Sequence, residues 1–145
     1  MAGIFEILKI IILGIFLIAE GVRDLKKHRI SMLSVMIAGV IGFILCALFI
    51  KDNIMSVLGG ILIGVVLLLL AKFTEEKIGY GDGWVFMVTG IYLGLRANLY
   101  LLFVSLFLSA VVSMILLICK KAEYKTELPF VPFVLPGYLF LMVAQ

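Results

Sequence analysis

Nine acidic residues stand in this 145-residue chain, and two of them, Asp24 and Asp82, lie closest to the ends of long apolar runs, beside glycine or apolar residues. Two carboxyl groups at short range can share one proton. One then acts as base toward a water molecule while the other, still protonated, donates to a carbonyl oxygen; together they can hydrolyse an amide. Around the second aspartate, Gly79-Tyr80-Gly81-Asp82-Gly83 has no side chain at three of its five positions. Such backbone bends and lets an extended peptide come close. Read from the residues alone, the same segment also fits a loop leading into a helix, with Asp82 capping the amides of Trp84 or Val85.

The elements that must position these carboxyls follow from composition. With 65% hydrophobic residues, 14% charged residues and a mean hydropathy of +1.31, the chain is neither a water-soluble globule nor disordered, and its net charge of +3 implies no nucleic-acid partner. Six apolar runs, 4–22, 30–50, 53–71, 78–95, 97–119 and 128–145, each approach the roughly 17–25 residues that cross about 30 Å of hydrocarbon. The expected fold is an all-α membrane protein of six transmembrane helices forming one domain, residues 1–145. The connections after runs one, three and five hold nine basic residues, including Arg23, Lys26, Lys27, Arg29, Lys72 and Lys120, against three (Lys9, Lys51 and Arg96) on the other side. By the positive-inside rule those three connections face the cytoplasm and both termini face outward. Asp24 closes run one and Asp82 opens run four from that same side, so the charge pattern alone puts both carboxyls at one membrane depth.

Two runs are irregular. Between Asp82 and Arg96 only 13 uncharged residues are available, so run four reaches across only if it begins near Ile78, which puts Asp82 near or below the membrane surface. Pro129, Pro132 and Pro136 are expected to prevent a regular helix through the first third of run six, leaving backbone that must face protein or a watered cavity. The outward connections Lys51-Asp52-Asn53 and Arg96-Ala97-Asn98 are short enough to make their flanking helices antiparallel neighbours. Gly60 and Gly64 match the small-xxx-small spacing of close helix contacts, or simply a glycine-tolerant membrane helix.

Other chemistry is thinly supplied. Cys46 and Cys119 lie in separate runs without metal or disulfide spacing and read as apolar fillers. His28 is the only histidine and belongs to a basic anchoring loop; neither GxSG nor HExxH occurs. Tyr80, Trp84, Tyr92 and Tyr100 read as interfacial or packing aromatics. Glu6 and a lone Lys9 do not make the positive segment of a cleavable signal, so the first run reads as a span. No metal and no cofactor are implied.

Three segments carry a resemblance. Gly79-Tyr80-Gly81-Asp82 resembles the GxGD motif of intramembrane aspartyl proteases, and Asp24-Leu25-Lys26-Lys27-His28-Arg29-Ile30 resembles the first-aspartate segment of type IV prepilin and preflagellin peptidases. Pro129-Phe130-Val131-Pro132-Phe133 is similar to the Pro-Phe-x-Pro-Phe element near the last helix of that family. The resemblance implies Asp24 and Asp82 as catalytic, with Gly79, Gly81, Gly83, Pro129, Phe130 and Pro132 forming the active-site loops or binding substrate. Two positions depart from the family pattern: Ser31-Met32 stands where Pro-Asn or Pro-Asp is usual, and Trp84 where a lysine is usual. The cysteine-rich segment of the larger, methylating members is missing, which implies proteolysis without N-methyl transfer. The Pro-Ala-Leu element of the presenilin branch is also missing.

The expected activity is therefore cleavage of the basic leader of a single-span, prepilin-like membrane protein, at the cytoplasmic face of the inner (plasma) membrane, by a multi-pass enzyme in the lipid bilayer. Helix direction suggests Asp82, at a helix N-terminus, as base and Asp24, after a helix C-terminus, as acid. Glu20, Glu75, Glu76, Glu123 and Glu127 read as solvated loop charges, with guidance of a basic leader as the alternative. Two competing functions remain compatible with the same residues: a transporter or channel component that uses Asp24 and Asp82 as proton or cation sites, and an inactive relative within a pilus or secretion assembly.

Overall fold

The computed structural model describes residues 2–48, 54–74, 79–119 and 128–144. They form five helices: α1 (Ala2–Lys27), α2 (Met32–Leu48), α3 (Ile54–Phe73), α4 (Tyr80–Ile118) and α5 (Val131–Ala144). The six apolar runs give five helices because runs four and five share α4. That helix is broken at Gly94, whose φ of 72° and ψ of −177° lie outside helical space. An unbroken helix would separate Phe86 from Asn98 by about 18 Å. Instead the Asn98 side-chain amide donates to the Phe86 carbonyl at 3.0 Å, so the chain reverses and the two halves of α4 lie side by side. A left-handed φ favours glycine here, and the amide freed by the break, that of Leu95, donates to Ser56 Oγ of α3 at 3.2 Å.

The reversal falls earlier in sequence than the expected turn at 96–98, which changes the role of Asn98. It is not a connection residue. Fully buried, it donates to the carbonyls of Gly60 and Phe86, both at 3.0 Å, while Thr89 donates to its carbonyl oxygen at 2.7 Å. One amide thus ties α3 to both halves of α4.

Glycines set how closely the helices approach. Gly60 of α3 lies against the backbone of Gly90, where an added Cβ would stand 2.5 Å from the Gly90 carbonyl oxygen. One turn on, Gly64 faces Gly83 and Met87 of α4. The Gly60/Gly64 spacing therefore serves an interface within the chain, between antiparallel helices. α1 and α5 are antiparallel as well: Tyr138 donates to the Ile10 carbonyl at 3.0 Å at one end, and Gly21 meets Pro132 toward the other. α2 runs parallel to the first half of α4, with Gly42 against the Tyr92 ring and the Tyr92 hydroxyl donating to the Ala38 carbonyl at 2.8 Å.

The core is formed by Leu13 and Leu17 of α1, Val85, Phe86 and Leu101 of α4, and Val131 and Val134 of α5. Outward faces are apolar too. α2 buries Val35, Ala38, Gly42 and Leu45 while exposing Leu33, Met36, Val40 and Phe43, and the second half of α4 exposes Phe107 and Met114. A surface of this kind suits hydrocarbon rather than water. α3 and α4 are long and apolar enough to cross a membrane, each holding an 18-residue stretch with a mean hydropathy of 2.8, and α2 and α5 are shorter apolar helices. The first turns of α1 and the last of α5 share one end of the bundle, where Glu6, Lys9 and Met142 line a common cavity. Cys46 is a half-buried free thiol and Cys119 an exposed one.

Candidate active site

At the opposite end, the chain brings together the last turns of α1 and the first turns of α4 and α5. α1 continues past Asp24 to Lys27 and ends at His28, whose φ of 48° turns the chain out of the helix while its amide donates to the Asp24 carbonyl at 2.9 Å. Asp24 is buried, at 8% exposure. Its carboxylate oxygen Oδ2 accepts the amide of Val131, the first residue of α5, at 3.1 Å. Asp24 therefore sits at a helix N-terminus as well as near the end of its own helix. This removes the basis on which helix direction separated the two carboxyls, since both now lie where a partial positive charge favours the ionised form.

Asp24 lies beyond run 4–22, and burial shifts its carboxyl above the ordinary 3.8, because a low-dielectric setting penalises charge. The amides of Val131 and Phe130 and the nearby His28 pull it back down, and Glu20 adds to the rise.

Asp82 stands in the first turn of α4, and Gly79 is the residue that starts this helix, with the Asp82 amide donating to the Gly79 carbonyl at 3.1 Å. No side chain caps the helix, so Asp82 is not the cap of Trp84 or Val85. Its carboxyl folds back over Gly79, where an added Cβ would lie 3.2 Å from Oδ2. Asp82 is half-buried, and its turn of α4 lies at the same end of the bundle as Asp24, near enough for the charge of Asp24 to act on it.

The glycines around Asp82 do something other than bend. Gly81 and Gly83 are helical residues. Gly81 is pressed by the Ile30 side chain, and a Cβ on Gly83 would lie 2.6 Å from Leu68 Cγ of α3. Their missing side chains allow α4 to dock, with Asp82 between them.

The proline segment is also more regular than expected. α5 starts at Val131, and only Pro129 and Phe130 precede it. Pro132 fits in the first turn, where its missing N–H has no helical partner to lose, and Pro136 is accommodated inside the helix. Phe130 stacks obliquely with Phe86, centroids 6.2 Å apart, and Pro132 packs at Gly21. All three segments singled out in the sequence thus meet at one end of the bundle.

Sequence reasoning misplaced Glu20. It is neither in a loop nor solvated: it lies inside α1 at 0% exposure, with Arg23 donating to Oε1 and the Ser31 amide to Oε2, both at 3.0 Å. The available signal was its spacing, one turn before Asp24 and three residues before Arg23. Glu75, Glu76, Glu123 and Glu127 lie outside the described residues, as do Lys51-Asp52-Asn53 and Ile78. Among the described residues, no three His, Cys, Asp or Glu side chains converge to hold a metal ion.

Among the described residues, a helical bundle with an apolar exterior fits the class of all-α membrane proteins, and Asp24 and Asp82 lie at one end of it. The family can be stated. The chain belongs to the type IV leader peptidase family, whose model matches residues 11–116 and thus spans both Asp24 and Asp82. The Pro129–Pro132 segment lies past the matched region. No match was found among curated proteins or among solved structures.

Proposed function

We propose that the chain is a membrane-embedded aspartic endopeptidase that removes the basic leader of a prepilin-like, single-span membrane protein at the cytoplasmic face. The observation that carries this reading is that the last turn of α1 with Asp24 and the first turn of α4 with Asp82 lie at the same end of the bundle, within a member of the leader peptidase family. The two carboxyls share one proton. The ionised member takes a proton from water, whose oxygen attacks the scissile carbonyl carbon; the protonated member gives its proton to the carbonyl oxygen. Collapse of the resulting diol breaks the C–N bond: the first carboxyl gives the proton it took from water to the leaving amine, while a diol hydroxyl returns a proton to the second carboxylate, which restores the singly protonated pair.

Positive-inside asymmetry supports a cytoplasmic setting for this end of the bundle, in the inner (plasma) membrane. Six crossings fit if each half of α4 spans separately, which the reversal at Gly94 allows. Phe130 and the glycine-flanked turn of α4 border the acid pair and are suited to receive an extended chain. A cation or proton site made from the same carboxyls predicts no peptide hydrolysis. Incubating the purified protein in detergent with a prepilin-like peptide, beside Asp24→Asn and Asp82→Asn, separates these functions.

A further inference from the structure

Glu20 is a buried carboxylate that the hydrolytic steps do not use. Both of its oxygens are engaged, by the Arg23 guanidinium and by the Ser31 amide. Arg23 reaches on to Ser34 Oγ at 3.1 Å, and Ser31 Oγ accepts the Ser34 amide at 3.4 Å, so Ser31 is the N-cap of α2. The usual capping box satisfies the N-cap amide with a Glu three residues later in the same helix. Here a glutamate of the preceding helix does it, which stitches the end of α1 to the start of α2. Asp24 lies one turn beyond Glu20, and Ile30, next to Ser31, is the residue that presses on Gly81 beside Asp82.

We infer that Glu20 is a positioning residue for the acid pair: through Arg23 and the Ser31 amide it fixes the α1–α2 connection, and with it the seat of Ile30 on α4 and the facing of Asp24 toward Asp82. This rests on the hydrolytic reading above. The departure at Ser31 acquires a reason, because a proline there has no N–H to give Glu20. Glu20 also adds one negative charge near Asp24. The other groups acting on Asp24 are His28, just past the end of its own helix, and the Phe130 and Val131 amides at the start of α5, while Asp24 in turn acts on Asp82 of α4, and α2 and α5 carry no charged side chain.

The test compares Glu20→Ala, Glu20→Gln and Ser31→Pro with the unchanged protein on a prepilin-like peptide, with thermal unfolding recorded for each. Glu20→Ala and Ser31→Pro are expected to lower kcat by about tenfold or more with KM within about threefold, because misplacement acts on the reaction step. Glu20→Gln keeps one acceptor oxygen and recovers part of the rate, with the acidic limb of its pH profile moved to lower pH. Loss of unfolding temperature with kcat unchanged overturns the inference and leaves the hydrolytic reading intact. Should the unchanged protein cleave nothing, the hydrolytic reading fails by itself, and Glu20 is judged by the infrared carboxyl titration of ¹³C-aspartate protein carrying Asp82→Asn. The chain has only two other aspartates, Asp24 and Asp52. A downward shift of the Asp24 titration in Glu20→Gln upholds the coupling, and an unmoved titration overturns it.

Discussion

The carboxylate of Asp24 accepts the amide of Val131 at 3.1 Å, joining residues 107 positions apart in the chain. This contact places the N-terminus of α5 directly against an acid that α1 carries into the interior. A carboxylate so held has its orientation fixed by a backbone donor, leaving its other oxygen free of that bond. Burial and donation act in opposite senses on its charge, which is the balance a group exchanging a proton needs.

That balance has a consequence for stability. Burial places the folded-state pKa of Asp24 above its ordinary 3.8, so its contribution to stability is fully present below that value and is lost as pH rises through the raised folded value. Asp24→Asn keeps an oxygen to accept the Val131 amide and never bears the charge. Its unfolding temperature at pH 7 should exceed that of the unchanged protein, with the gap narrowing as pH falls toward 4. Thermal unfolding in detergent across that pH range checks it.

The contact of α3 with α4 depends on the absence of side chains. Gly60→Leu should lower stability by about 1–3 kcal/mol, because its Cβ has no room against the Gly90 backbone. Gly3→Leu, at a position with open space around it, should change stability by no more than about 0.5 kcal/mol. Unfolding curves of the two variants side by side read the difference.

Asn98 holds three backbone or side-chain partners at the reversal of α4. Asn98→Leu should cost about 1–3 kcal/mol, since it removes three hydrogen bonds from a dry interior and leaves the Thr89 hydroxyl only the Phe86 carbonyl at 3.2 Å. Thr89→Val should cost less on its own, and the double variant less than the sum of the two, because both changes remove the same Thr89–Asn98 bond. A double-mutant cycle measured by unfolding tests this.

How much of this was legible in the sequence depends on the kind of signal. Apolar length and basic residues are cumulative, so the helices and the common end of Asp24 and Asp82 could be read before any coordinates. The break at Gly94 could not, because one left-handed glycine among 14 carries no mark in the chain; Arg96-Ala97-Asn98 was the more polar stretch and drew the turn two residues late. Glu20 was misread for a similar reason. Its partners at Ser31 and Arg23 are a matter of how α1 meets α2, and charge alone suggests solvent. Glycines flanking Asp82 suggested bending, whereas what they supply is room for Ile30 and Leu68. Val131 escaped notice because its part is played by a backbone amide, which any residue but proline has.

The most direct measurement is cleavage of a prepilin-like peptide by the purified protein, compared with Asp24→Asn and Asp82→Asn at equal folded concentration. A single cut between the basic leader and the apolar segment is predicted, with each variant slower by about a thousandfold or more, as for groups that act as a unit. A variant cleaving at the rate of the unchanged protein would contradict the paired-acid account.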